Sequence, residues 1–109
     1  MWQTPRVSMK LDHVALNVKN VYESVAWYRS RFKVIVEYED ETWAMLSIDN
    51  CKIALTKQGT HPPHVAIRVE SINEFPAGCE VKQHRDGSWY YYDRDLDGNV
   101  VEWIAYPKL

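Results

Sequence analysis

His13-Val14-Ala15-Leu16-Asn17-Val18 returns 51 residues later as His64-Val65-Ala66-Ile67-Arg68-Val69, with four of the six positions identical. A second echo closes each half. Asp49-Asn50-Cys51-Lys52-Ile53-Ala54-Leu55 aligns with Asp97-Gly98-Asn99-Val100-Val101-Glu102-Trp103, 48 residues on. Two matched segments in the same order mark one supersecondary unit present twice, and two copies are too few for a solenoid.

Outward from the first echo, His13–Val18 alternates. Val14, Leu16 and Val18 fall on one face and His13, Ala15 and Asn17 on the other, the pattern of a half-buried strand. Asn20 offers an N-cap with Glu23 three residues on, and Val21, Val25, Tyr28 and Phe32 are spaced for a helix. Strands are expected at Val34–Glu39, Trp43–Ile48 and Lys52–Lys57, separated by the turn residues Asp40-Glu41 and Asp49-Asn50. The second copy predicts a strand at His64–Val69 and a helical turn near Ser71–Phe75, cut off by Pro76-Ala77-Gly78. Strands near Cys79–His84, Gly87–Tyr92 and Val100–Ala105 complete it. The expected fold class is α+β: two tandem βαβββ modules, about 10–57 and 64–106, joined by a linker at 58–63 in one domain spanning 1–109. Their two four-stranded mixed sheets are expected to curve around a cavity, related by a pseudo-twofold axis.

Composition narrows the function classes. With 109 residues, 13 Lys+Arg against 15 Asp+Glu, and 46% hydrophobic content, the chain suits one cored domain and not a disordered one. A net charge of −2 lacks the basic excess with which nucleic-acid binders neutralise phosphates. No apolar run approaches the roughly 20 residues of a membrane-spanning helix. Met1–Arg6 has no apolar segment of the secretory kind, so a cytoplasmic location is expected. Cys51 and Cys79 have no metal-type neighbours and are expected as reduced thiols.

His13 and His64 occupy equivalent positions at the start of equivalent strands, on the face opposite the helix-packing aliphatic set. Glu102 lies in the last strand between Val101 and Trp103, where an unpaired carboxylate would cost several kcal/mol. Two imidazoles and one carboxylate on the concave face supply a facial N₂O donor set with open positions, suited to Fe, Mn, Ni or Zn as the divalent metal. Glu102 is thus both a candidate metal ligand and a candidate catalytic group. Arg68 shares the parity of His64, either as an anchor for an anionic substrate or in an intersheet salt bridge, and Asn17 is its counterpart in the first copy. Trp89-Tyr90-Tyr91-Tyr92 alternates faces, which makes Tyr90 and Tyr92 candidate substrate contacts. His61 in the linker and His84 among Gln83, Arg85 and Asp86 are expected to be solvated.

These residues carry a family likeness. From about Lys10 to Tyr106 the chain resembles the vicinal oxygen chelate superfamily, which includes glyoxalase I, bleomycin-resistance proteins, fosfomycin-resistance enzymes, methylmalonyl-CoA epimerase and extradiol dioxygenases. Leu11-Asp12-His13-Val14-Ala15-Leu16, Ser24-Val25-Ala26-Trp27-Tyr28-Arg29, His64-Val65-Ala66-Ile67 and Arg94-Asp95-Leu96-Asp97-Gly98-Asn99-Val100-Val101-Glu102 carry it. The resemblance implies a metal ligand position on the first and last strand of each module. His13, His64 and Glu102 match the first, third and fourth, whereas the second falls on Ala54, which has no donor atom. That departure weighs against an isomerase shuttling a proton between two carboxylates. Leu96, Asp93 and the curtailed second helix are further departures. The resemblance also implies a homodimer. The expected function is a divalent-metal-dependent lyase, isomerase, transferase or dioxygenase acting on a small substrate with adjacent oxygens. The alternative is a metal-free sequestering protein of the bleomycin-resistance kind, and a third reading is a structural module without activity.

Overall fold

The computed structural model describes residues 9–107, so the Met1–Arg6 reading lies outside the described residues. The first module runs β1 (Lys10–Val18), α1 (Val21–Arg31), β2 (Ile35–Glu39), β3 (Trp43–Ile48) and β4 (Cys51–Lys57). The second runs β5 (His64–Arg68), a 3₁₀ turn (Ile72–Glu74), β6 (Lys82–Gln83), β7 (Trp89–Arg94) and β8 (Val100–Ala105). The expected order β-α-β-β-β is therefore present in both halves, with the second helix reduced to a turn.

The sheets differ from expectation in one respect: the two halves form a single open sheet of eight strands, ordered β2-β3-β4-β1-β5-β8-β7-β6. Within each module the first strand pairs parallel with the last, and β1 then pairs antiparallel with β5. Each first strand would otherwise present an unpaired edge, and joining them satisfies both rows of backbone groups. A β-bulge interrupts this join, because Leu11 pairs with Ile67 but His13 pairs with Ala66.

Local chemistry explains the first module. The Asn20 side chain accepts the Glu23 backbone N–H at 2.9 Å and starts α1, and the chain turns extended at Phe32. Val21 and Val25 then bury against Ala44, Leu46 and Leu55 on the outer face of β3 and β4. Asp49 takes φ 55° in the two-residue turn between those strands, a conformation its short polar side chain tolerates. In the second module a capping box of Ser71 and Glu74 starts a helix that Pro76 stops, and Val69, Phe75 and Ala105 make a smaller core. β6 is shorter than expected because only Lys82 and Gln83 pair with β7. Both cysteines are free thiols, and no helix among the described residues is long and apolar enough to cross a membrane.

Candidate metal centre

Three neighbouring central strands place the donor residues. His13 on β1 lies across from Ala66 on β5, which lies across from Glu102 on β8. The methyl of Ala66 leaves a gap between the two outer residues, and His64, two residues before it on the same face, fills that gap. Ala15, across from His64, keeps the other side open. Small side chains at these register positions let three large polar ones converge.

The convergence is tight. His13 Nε2 and His64 Nε2 stand 3.2 Å apart, and Glu102 Oε1 is 3.2 Å from His64 Nε2 and 3.5 Å from His13 Nε2. The far atom of each group is already engaged. His13 Nδ1 meets Asp12 Oδ2 at 2.7 Å, and His64 Nδ1 meets the Pro62 carbonyl at 2.7 Å. His84 Nε2 meets Glu102 Oε2 at 2.8 Å. An oxygen acceptor at each Nδ1 assigns the proton of the neutral ring there and leaves the Nε2 lone pair facing inward. Two imidazole lone pairs and a carboxylate oxygen therefore point at one another, which is unfavourable unless a cation or a proton lies among them.

The donor set fits a divalent ion. With bonds of about 2.1 Å, ligand atoms at octahedral or tetrahedral angles lie about 3.0–3.4 Å apart, close to the spacings observed here. His13, His64 and Glu102 are buried, at 9%, 7% and 2% exposure, so the ion would be held by protein atoms with one side open to the cavity. The charges respond as the contacts require. Burial pushes the Glu102 carboxyl up, but hydrogen bonds from His64 and His84 and the imidazole charges outweigh it and hold it down to about 2. Burial likewise pushes His64 down, while Glu102 and the Pro62 carbonyl raise it above its ordinary value. Asp12 is pushed up by burial and brought below the usual carboxylate range by His13 and by the Tyr106 hydroxyl.

The donors form the floor of a cavity of about 640 Å³, walled by β3 and β4 of the first module and β7 and β8 of the second. Trp43 on its wall stacks on Tyr38 with centroids 4.6 Å apart. Ala54, at the position without a donor atom, contributes only a methyl to the lining. Tyr92 pairs with Glu102 across β7 and β8 and faces the cavity, and its hydroxyl is hydrogen-bonded to His61 Nδ1 at 3.3 Å. Burial and the Glu102 charge push the Tyr92 hydroxyl well above the ordinary tyrosine range.

Other expectations are corrected. Arg68 is exposed and rests on the Tyr106 ring at 4.7 Å, off the cavity wall and in no salt bridge among the described residues. Asn17 spends its amide on Thr56 Oγ1 and the His61 carbonyl, at 2.7 and 2.8 Å. Tyr90 stacks flat against His84 at 3.7 Å and so braces that ring instead of lining the cavity. His84, expected to be solvated, is half-buried and lines it, while His61 is exposed as well as lining it. Sequence reasoning missed His84 because it lies just past the two residues of β6, where alternation ends. The hairpin register would have found it, since the His84 N–H donates to the Ser88 carbonyl at 2.8 Å and continues the β7 pairing.

Two βαβββ units joined in one mixed sheet are a fold that this chain shares with solved structures at 20% identity or less. Methylmalonyl-CoA epimerase from Mycobacterium tuberculosis superposes with a TM-score of 0.75 at 18% identity, over 99% of this chain and 94% of that one. A hypothetical protein from Bacillus halodurans gives 0.76 at 20% identity, over 94% and 97%. Homoprotocatechuate 2,3-dioxygenase from B. fuscum gives 0.66 at 19%, where 90% of this chain covers 32% of the larger enzyme. Neither a protein-family profile nor a curated protein sequence matches the chain.

Proposed function

We propose that this protein is a divalent-metal-dependent enzyme acting on a small substrate that carries two neighbouring oxygens. The observation that carries the reading is the convergence of His13 Nε2, His64 Nε2 and Glu102 Oε1 within 3.5 Å, each with its far atom engaged by another group. When bound, the metal supplies Lewis-acid stabilisation of negative charge developing on a chelating oxygen. His13, His64 and Glu102 hold it, and the ion is Fe, Mn, Ni or Zn.

The chain's other residues set what happens around it. His84 pins Glu102 Oε2, which makes Glu102 a fixed ligand and not a swinging base. Ala54 leaves no second carboxylate on the facing strand, so a proton shuttle between two carboxylates is disfavoured. Tyr92, held by His61, keeps its proton and serves as a hydrogen-bond donor to a substrate oxygen. Arg85 lines the cavity and forms no ion pair among the described residues, so it replaces Arg68 as the cation offered to an anionic group of the substrate. Trp43 and Tyr38 give the substrate a flat apolar wall.

Metal analysis of untagged protein purified without chelators tests the reading, beside the double variant His64→Ala/Glu102→Ala. About one ion per chain, lost in the variant, is the expected result. Protein that neither contains metal nor takes up added metal would overturn it and favour a metal-free binding protein.

A further inference from the structure

We propose that Asp12, brought beside the His13 ring at the β-bulge, is a positioning residue that fixes that ring and is itself held by Tyr106. In an unbroken strand Asp12 and His13 point to opposite faces and cannot meet at one site. The bulge removes that restriction: Leu11 pairs with Ile67 and His13 with Ala66, leaving Asp12 as the extra residue. Its carboxylate reaches His13 Nδ1 at 2.7 Å with only 12% of the side chain exposed.

The contact does what a neutral acceptor does less well. It locks the proton on Nδ1 and turns the Nε2 lone pair toward the donor cluster. The Tyr106 hydroxyl donates to the same Oδ2 at 2.9 Å, so the carboxylate cannot swing away. Arg68 lies over the Tyr106 ring at 4.7 Å and fixes it from outside. This gives Arg68 a structural role three contacts from the donor atoms. His64 has a weaker equivalent, the Pro62 carbonyl, so the two repeat-related histidines are braced differently.

The inference rests on the proposed metal site, and two readouts separate their failures. One is the Zn²⁺ dissociation constant of wild type, Asp12→Ala, Asp12→Asn and Tyr106→Phe, measured by chelator competition. Loss of the brace is expected to weaken Zn²⁺ binding about 10–100-fold in Asp12→Ala, with Asp12→Asn intermediate and Tyr106→Phe smaller. The other is the His13 tautomer in metal-free protein, read from ¹⁵N shifts of the ring. Wild type should carry the proton on Nδ1, and Asp12→Ala should redistribute it to Nε2, a change that a merely structural role would not produce.

Wild-type protein that binds Zn²⁺ tightly while Asp12→Ala and Tyr106→Phe bind it equally well overturns the inference and leaves the metal site standing. If Asp12→Ala does not fold, Asp12→Asn and Tyr106→Phe decide by the same measure. If wild type binds no metal, the proposed function fails, and an unchanged His13 tautomer in Asp12→Asn and Tyr106→Phe overturns the brace as well.

Discussion

The two modules share a strand pattern and divide the work. The first carries an 11-residue helix over Ala44, Leu46 and Leu55, and contributes one donor, His13. The second has three residues of 3₁₀ turn over a smaller core, and contributes His64 and Glu102 together with His84 and Tyr92. A duplicated unit can therefore concentrate packing in one copy and polar groups in the other, because their joined sheet lets the better-packed half support the half that holds buried charge.

Core truncation should break this comparison most sharply. Leu55 is fully buried under α1, and Leu55→Ala should cost about 3 kcal/mol in chemical denaturation. Phe75→Ala, in the thinner core, should cost less than the 3–5 kcal/mol typical of a buried Phe, because that ring is 8% exposed and has fewer buried neighbours. Equal losses would show that the second module packs as firmly as the first.

The donor side gives the next effect. His84→Phe keeps the stack on Tyr90 but leaves Glu102 Oε2 buried without its partner, and should weaken Zn²⁺ binding about tenfold or more and lower the thermal midpoint of the metal-free protein. Unaltered affinity would remove His84 from the account of the site.

Acid titration sharpens the same division. Glu102 is held down to about 2 from an ordinary 4.5. A depressed carboxyl contributes stability that is complete above its unfolded value and is lost as pH falls through the folded one. Metal-free wild type should therefore lose stability between about pH 4.5 and pH 2. His64 has the opposite sign, since its raised value contributes below 6.5 and is lost as pH rises through it. Glu102→Gln should flatten the acid limb, as followed by urea midpoints across the window, and an unchanged limb would place the acid sensitivity elsewhere.

Helix caps give the smallest effect. Asn20→Ala should cost about 1 kcal/mol by removing the acceptor for the Glu23 N–H, and Ser71→Ala less, because the second turn is only three residues long. Thermal unfolding of the two variants makes the comparison directly.

Much of this organisation is legible in the residues. Alternation placed His13 and His64 on one face, the Asn20 cap and aliphatic spacing located α1, and the apolar flanks of Glu102 marked it as a carboxylate in need of partners. That alternation begins at His13 and gave no place for Asp12, which the bulge brings beside His13. Elsewhere it misled. Parity kept Tyr90 and Arg68 in the cavity, but parity assigns a face and not a contact, and Tyr90 is taken up by His84 while Arg68 is drawn to Tyr106.

What the chain determines by itself is local and periodic: the duplicated strand–helix–strand pattern, its turns and caps, and the two histidines and one glutamate at repeat-related positions. These follow from side-chain period and backbone preference, which act over a few residues. Only the tertiary structure decided that β1 and β5 would join the halves into one sheet, that Ala66 would leave room for three donors, and that Asp12, His84 and Tyr106 would brace them. Those outcomes depend on which edges find each other and where a strand bulges, matters settled by contacts between residues as far apart as Asp12 and Tyr106.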